Sequence, residues 1–146
     1  MTEPAASPGA AVARGLSHIA IATPDAEVLA TTLAAALGGT RGAEELLDSG
    51  ALRVVFVHVG PVTFELLEPR SPEHTVAKFI ATRGAGLHHV SLEVADVPAA
   101  LALAAAAGVR LIDERPRAGA HGTQVAFLHP KSLGGVLIEL CRDGKG

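Results

Sequence analysis

The chain has no tryptophan and no tyrosine, four phenylalanines, one methionine and one cysteine in 146 residues. A single thiol, Cys141, cannot close an internal disulfide, which points to a reducing, cytoplasmic setting. No apolar run reaches the roughly 18 residues that a membrane-spanning helix needs, so no membrane is expected as a partner. Twelve Lys and Arg stand against fifteen Asp and Glu, for a net charge of −3. The basic residues are scattered and form no stripe, which argues against nucleic acid. Residues 1–13 lack the charged-then-apolar order of a signal peptide. Their Pro, Ala and Gly content reads as a flexible N-terminal tail.

What is present is apolar and repetitive. Hydrophobic residues make up 49% of the chain and mean hydropathy is +0.36, enough for a packed core and against disorder. The stretch Gly15-Leu16-Ser17-His18-Ile19-Ala20-Ile21 returns as Gly86-Leu87-His88-His89-Val90-Ser91-Leu92. His18 and His89 are 71 residues apart, about half the chain. A short polar turn follows each copy, and then an Ala/Leu-rich stretch that ends in Gly38 or Gly108. Each half closes on an apolar strand with one glutamate inside it, Val62–Leu67 with Glu65 and Val136–Leu140 with Glu139. An internal repeat of this kind governs the fold.

The chain between these landmarks alternates in the same way. Leu16–Ala22 predicts a strand. Thr23 or Asp25 suits the cap of a helix over 26–37, with Gly38-Gly39 stopping it. Residues 53–59 and 62–67 predict a hairpin around Gly60-Pro61. Ser71 with Glu73 suits the start of a linker helix over 73–82, and Gly84-Ala85-Gly86 opens the second half. Val90–Val94 is a strand, Asp96 caps a helix over 98–107, and Val109–Ile112 is a further strand. Arg115–Gly122 reads as a loop, and 125–128 with 135–140 as a last hairpin. The fold expected is α+β, a single domain over 14–146. It holds two tandem modules, about 15–70 and 86–141, in pseudo-twofold arrangement around a cleft, with the linker helix between them at about 71–83.

A carboxylate inside an apolar strand has to be paired, neutral or bound to a metal, because burying it alone is costly. The repeat offers two such carboxylates and two strand histidines at matched places. His18, Glu65, His89 and Glu139 are therefore the candidate ligands of one divalent ion, with Zn²⁺, Fe²⁺, Co²⁺, Ni²⁺ and Mn²⁺ all compatible. Such an ion polarises carbonyl oxygen and stabilises an enolate. Strand alternation puts His88 on the face opposite His89, which suits a structural or supporting place. His58, His74, His121 and His129 have no counterpart in the other half. Cys141 has no activating motif near it.

The stretches S-H-I-A-I-A-T-P-D (17–25), F-E-L-L-E-P (64–69), S-P-E-H-T-V-A-K-F-I (71–80), G-L-H-H-V-S-L-E-V-A-D-V (86–97), G-V-R-L-I-D-E-R-P-R (108–117) and V-A-F-L-H-P-K-S-L-G-G-V-L-I-E-L (125–140) carry a resemblance. They resemble the vicinal oxygen chelate (glyoxalase-like) superfamily and, within it, the methylmalonyl-CoA epimerase family. The resemblance implies two βαβββ modules, a Co²⁺-type metal on His18, Glu65, His89 and Glu139, and an acyl-CoA substrate epimerised by α-proton abstraction through an enolate. It also implies an acid/base group on each face of the inverted carbon. One matches Glu139. The family's other glutamate falls near Ser49, where Asp48 stands in its place, with Glu44 and Glu45 close by. Lys78, Arg83, Arg115, Arg117 and Lys131 are available to CoA phosphates, and a homodimer is a form such sheets take. Rival readings within the fold are a glyoxalase I-like metal-dependent lyase and a non-enzymatic binding or resistance protein.

Overall fold

A computed structural model describes residues 8–143, and among them lie eight β-strands and four α-helices. Contacts divide the chain into two compact units. One is residues 18–89; the other joins the described residues before His18 to those from Val90 onward. The cuts fall inside strands β1 (Gly15–Ala22) and β5 (Gly86–Glu93), and not at the linker helix.

In the unit of residues 18–89 the strand order is β2-β3-β4-β1, with β2 at Thr40–Leu47, β3 at Leu52–Val59 and β4 at Val62–Pro69. β1 and β4 run parallel, and the other pairs are antiparallel. Helix α2 (Ala26–Leu37) starts where Asp25 Oδ1 accepts the Val28 N–H at 3.1 Å, and ends at Gly38, whose φ of 68° a side chain would strain. Its small residues Ala26 and Ala30, one turn apart, sink fully against Val55, Val57 and Leu66. The opposite sheet face carries His18, Ala20, Glu65 and Phe56, because residues paired across a sheet share a face.

The other unit has the order β5-β8-β7-β6, with β8 at Ile138–Arg142, β7 at Gln124–Leu128 and β6 at Arg117–Ala118. β5 and β8 are parallel. Helix α4 (Val97–Ala106) is capped by Asp96, whose Oδ1 accepts the Ala99 N–H at 2.9 Å. Val97, Ala100 and Leu101 pack on Val94, Ala126, Leu128 and Leu140. The pairing repeats that of the first half: Ala20 stands opposite Glu65, and Ser91 stands opposite Glu139. In both halves a histidine precedes the residue opposite the glutamate by two places, so the repeat read in the sequence is a repeat of register.

Several local elements differ from the expectation or went unread in the sequence, and the expected loop over 115–122 holds the short strand β6. Of the expected tail, residues 1–7 lie outside the described residues. Pro8–Ala11 forms helix α1, where the Ala10 carbonyl accepts the Asp96 N–H at 3.2 Å. β2 is a strand in a stretch that shows no apolar alternation. It is bulged between Arg41 and Glu44, where a Cβ on Gly42 would meet His58 Nε2 at 2.8 Å. Val109–Ile112 makes only one bridge, Leu111 to Leu128. Beyond it the Asp113 carboxylate takes the Phe127 N–H at 2.8 Å, replacing a backbone partner and ending the ladder. The linker helix, α3 (Thr75–Arg83), begins at His74 and not at Ser71. His74 Nδ1 accepts the Val76 N–H at 3.0 Å, while the Ser71 hydroxyl donates to Glu73.

Candidate metal and acid–base site

His18 and His89 are both buried, each at 5% exposure, and both lie in the unit of residues 18–89. Their Nε2 atoms face each other at 3.3 Å, with the rings edge-on at 74°. Imidazole nitrogens bind zinc-like ions at about 2.0–2.1 Å, so two adjacent ligand nitrogens on one ion stand roughly 3.0–3.4 Å apart. The observed separation fits the spacing that two ligands of one such ion would need. The far side of His18 is held as well, with Nδ1 2.9 Å from Glu65 Oε2 and both side chains largely covered. An ionised carboxylate only accepts, so Nδ1 carries the proton and Nε2 offers its lone pair inward. His89 Nδ1 lies 2.9 Å from His88 Nδ1, so the two neighbours touch despite their alternate directions on the strand.

Glu139 belongs to the other unit and is also buried at 5%. Its Oε1 accepts the Ser91 hydroxyl at 2.8 Å, and Ser91 is fully buried. The sequence reading passed over Ser91. The signal for it is its place in the repeat, because it is the polar residue where the first half has Ala20. The two glutamates therefore occupy matched positions with different holders, an imidazole for Glu65 and a hydroxyl for Glu139.

The acidic residues considered for the second acid/base are scattered. Asp48 has a φ of 53° and an exposed carboxylate, 2.7 Å from His74 Nε2. It follows β2 at the end where Leu52 pairs with Pro69, four residues and thus about 13 Å along β4 from Glu65. Glu44 pairs across from Val55, on the α2 side, and is bonded to Arg53 at 2.5 Å. Arg53 also joins Glu27, and its guanidinium is held above its ordinary range first by the Glu44 hydrogen bond. Glu45 pairs across from Val54, which puts it on the face of Glu65 and His18, half-buried.

The remaining candidates have local duties. His58 meets Thr63 Oγ1 at 3.3 Å. His129 Nδ1 accepts the Lys131 N–H at 3.0 Å. His121 sits in a left-handed turn at φ 57°. Arg117 pairs with Asp113 at 3.3 Å and lies over the Phe127 ring, and Arg83 lies over Phe79. Cys141 is buried in β8.

Residues 17–127 match the Glyoxalase/Bleomycin resistance protein/Dioxygenase superfamily. The mitochondrial methylmalonyl-CoA epimerase of Homo sapiens is 38% identical over 126 residues, covering 86% of this chain and 72% of the human protein. The ethylmalonyl-CoA/methylmalonyl-CoA epimerase of Cereibacter sphaeroides is 38% identical over 127 residues, covering 86% of this chain and 95% of that one. A variant of Streptomyces coelicolor methylmalonyl-CoA epimerase, solved in complex with 2-nitronate-propionyl-CoA, superposes with a TM-score of 0.84 at 31% identity, over 90% of this chain and 99% of that one. The fold is glyoxalase-like, and the chain belongs to the methylmalonyl-CoA epimerase family of that superfamily.

Proposed function

We propose that the chain interconverts the (R) and (S) epimers of methylmalonyl-CoA, with His18, His89 and Glu139 holding one divalent ion, Co²⁺ foremost, and Glu65, expected as a fourth ligand, backing His18 from its Nδ1 side instead. The observation that carries the ion is the buried Nε2 pair at 3.3 Å, with Glu65 fixing the donor side of His18. Support for Glu139 comes from its burial and from its match to Glu65 in the repeated register. A divalent ion at such a set supplies positive charge opposite a developing enolate oxygen.

The protein's own part is the proton. The α C–H bond breaks, its proton passes to a carboxylate, and the electron pair moves onto the thioester oxygen. Return of a proton to the opposite face inverts the centre. Glu139 serves one face: it is buried, and Ser91 fixes one oxygen by a neutral hydrogen bond and not by an ion pair. The other face needs a second group. Asp48 is engaged with His74, whereas Glu45 lies on the face of Glu65. Asp48→Asn and Glu45→Gln assign the role between them, the variant that keeps metal and loses turnover naming the base. A cytoplasmic setting is part of the same reading, on the strength of the single cysteine.

The test is α-proton exchange. Metal-loaded protein is incubated with (R)- or (S)-methylmalonyl-CoA in D₂O, and the α-proton signal is followed by NMR beside an EDTA-treated control. Metal-dependent exchange with racemisation is expected. No exchange by metal-loaded protein would overturn the epimerase reading.

A further inference from the structure

Glu65, His18, His89 and His88 form an unbroken chain of side-chain contacts inside one unit. The links are Glu65 Oε2 to His18 Nδ1 at 2.9 Å, His18 Nε2 to His89 Nε2 at 3.3 Å, and His89 Nδ1 to His88 Nδ1 at 2.9 Å. With Glu65 ionised and the imidazoles neutral, the protons along it are determined. The carboxylate only accepts, so His18 is protonated on Nδ1 and its Nε2 accepts. The facing Nε2 of His89 must then be the donor. A neutral His89 with its proton on Nε2 accepts at Nδ1, so His88 donates from its own Nδ1.

Metal ligation requires the opposite arrangement at His89. Both Nε2 atoms must present lone pairs to one ion, so the His89 proton has to sit on Nδ1. That N–H then points at His88 Nδ1, which has to become the acceptor and carry its proton on Nε2. The count of protons is the same before and after: each imidazole stays neutral, and His89 and His88 exchange tautomers together while His18 does not change. His88 can serve in both states because imidazole offers a donor in one tautomer and an acceptor in the other at the same Nδ1. The ring is also held in place. Phe79 of α3 meets it edge-on, with centroids 4.8 Å apart, and Arg83 lies over the Phe79 ring.

We infer that His88 is a positioning residue for the metal, a tautomer partner that receives the Nδ1–H of His89 whenever His89 is a ligand, so that His89 binds as a neutral, correctly aimed imidazole. This rests on the metal reading proposed above. Outer-shell partners of metal-bound histidines typically govern about 10–100-fold of metal affinity.

The experiment uses the full chain and Zn²⁺, which is diamagnetic. Long-range ¹H–¹⁵N correlation spectra of the histidine rings report which nitrogen is protonated, and calorimetric titration reports affinity. On adding Zn²⁺, His89 and His88 should each move their proton, to Nδ1 and Nε2 respectively, while His18 keeps Nδ1–H. His88→Leu should weaken Zn²⁺ binding about 10–100-fold. His88→Asn, whose amide oxygen can accept at the place of Nδ1, should restore most of it. Unchanged affinity in His88→Leu, or a His88 that keeps Nδ1–H in the zinc-loaded wild type, would overturn the inference. The tautomer measurement needs no variant, so it decides even where His88→Leu misfolds. Wild type that takes up no Zn²⁺, or takes it up equally well as His89→Ala, would overturn the metal reading itself and this inference with it, a result distinct from tight binding that ignores His88.

Discussion

Ser91→Ala removes one hydroxyl from a fully buried position and leaves the Glu139 Oε1 lone pair without that donor. Almost no volume is lost, so a cavity contributes little and the hydrogen bond dominates. A bond to a charged acceptor is worth about 1.5–3 kcal/mol when its partner is removed inside a protein. For a chain of this size each kcal/mol lowers the melting temperature by about 2–4 °C, so a drop of about 3–12 °C is expected for the metal-free protein at pH 7. Calorimetric melts of wild type, Ser91→Ala, Glu139→Gln and the double variant complete a cycle. The coupling should be favourable, because once Glu139 is an amide the hydroxyl loses its charged partner. A Ser91→Ala melt within about 1 °C of wild type, or strictly additive single effects, would show that the 2.8 Å contact does not hold Glu139.

Three further outcomes are expected. His89→Ala should abolish stoichiometric metal binding while the far-ultraviolet circular dichroism stays native; retained metal refutes the ligand. Asp48→Asn should leave metal content unchanged, and its kcat in the epimerase assay measures whether the carboxylate paired with His74 carries a proton in turnover. Glu27 is exposed and is held below its ordinary value of 4.5, first by its hydrogen bond to Arg41 and then by that to Arg53. A carboxylate depressed in the folded state adds stability above its unfolded value and loses it as pH falls through the folded one. Glu27→Gln should therefore flatten part of the acid limb of the stability profile below about pH 4.5, and a profile superimposable on wild type refutes this.

The repeat made much of this legible. His18, Glu65, His89 and Glu139 were chosen for matched placement in sequence, and the register places a glutamate two residues along from each histidine's own position on the paired strand. The helices were legible for local reasons: Asp25 and Asp96 are capping residues before alanine-rich stretches, and both accept the N–H three residues on. β2 was not legible. It lies at the edge of its four strands and carries a Glu on each face, since Glu44 turns to Arg53 while Glu45 turns to the other side. The placing of Val109–Ile112 failed for a different reason. Its apolar run is genuine, but the Asp113 carboxylate takes the amide of Phe127, a competition that no periodicity reports. His88 was placed by alternation alone. That rule gives the direction of a side chain from the strand, not the reach of a ring, and the two Nδ1 atoms meet regardless.

Matched positions with unmatched holders suit a reaction that inverts a centre. Were the two halves identical at the site, Glu65 and Glu139 would be interchangeable in chemistry as well as in place. Instead Glu65 is fastened to His18, so its charge is committed to fixing that imidazole's tautomer and aim. Protonating Glu65 would remove the acceptor that keeps the His18 proton on Nδ1, and with it the lone pair on Nε2. Glu139 is held differently on the side that Ser91 meets. Its donor is a neutral hydroxyl, and a serine that loses a carboxylate partner can turn its O–H to another acceptor without altering any ligand. Of two glutamates made equivalent by the repeat, the one opposite Ser91 is the one proposed above as a proton carrier. The substitution that makes them unequal is small, serine at position 91 where the first half has alanine at position 20. It is also the place where the two matched halves differ in what holds the carboxylate.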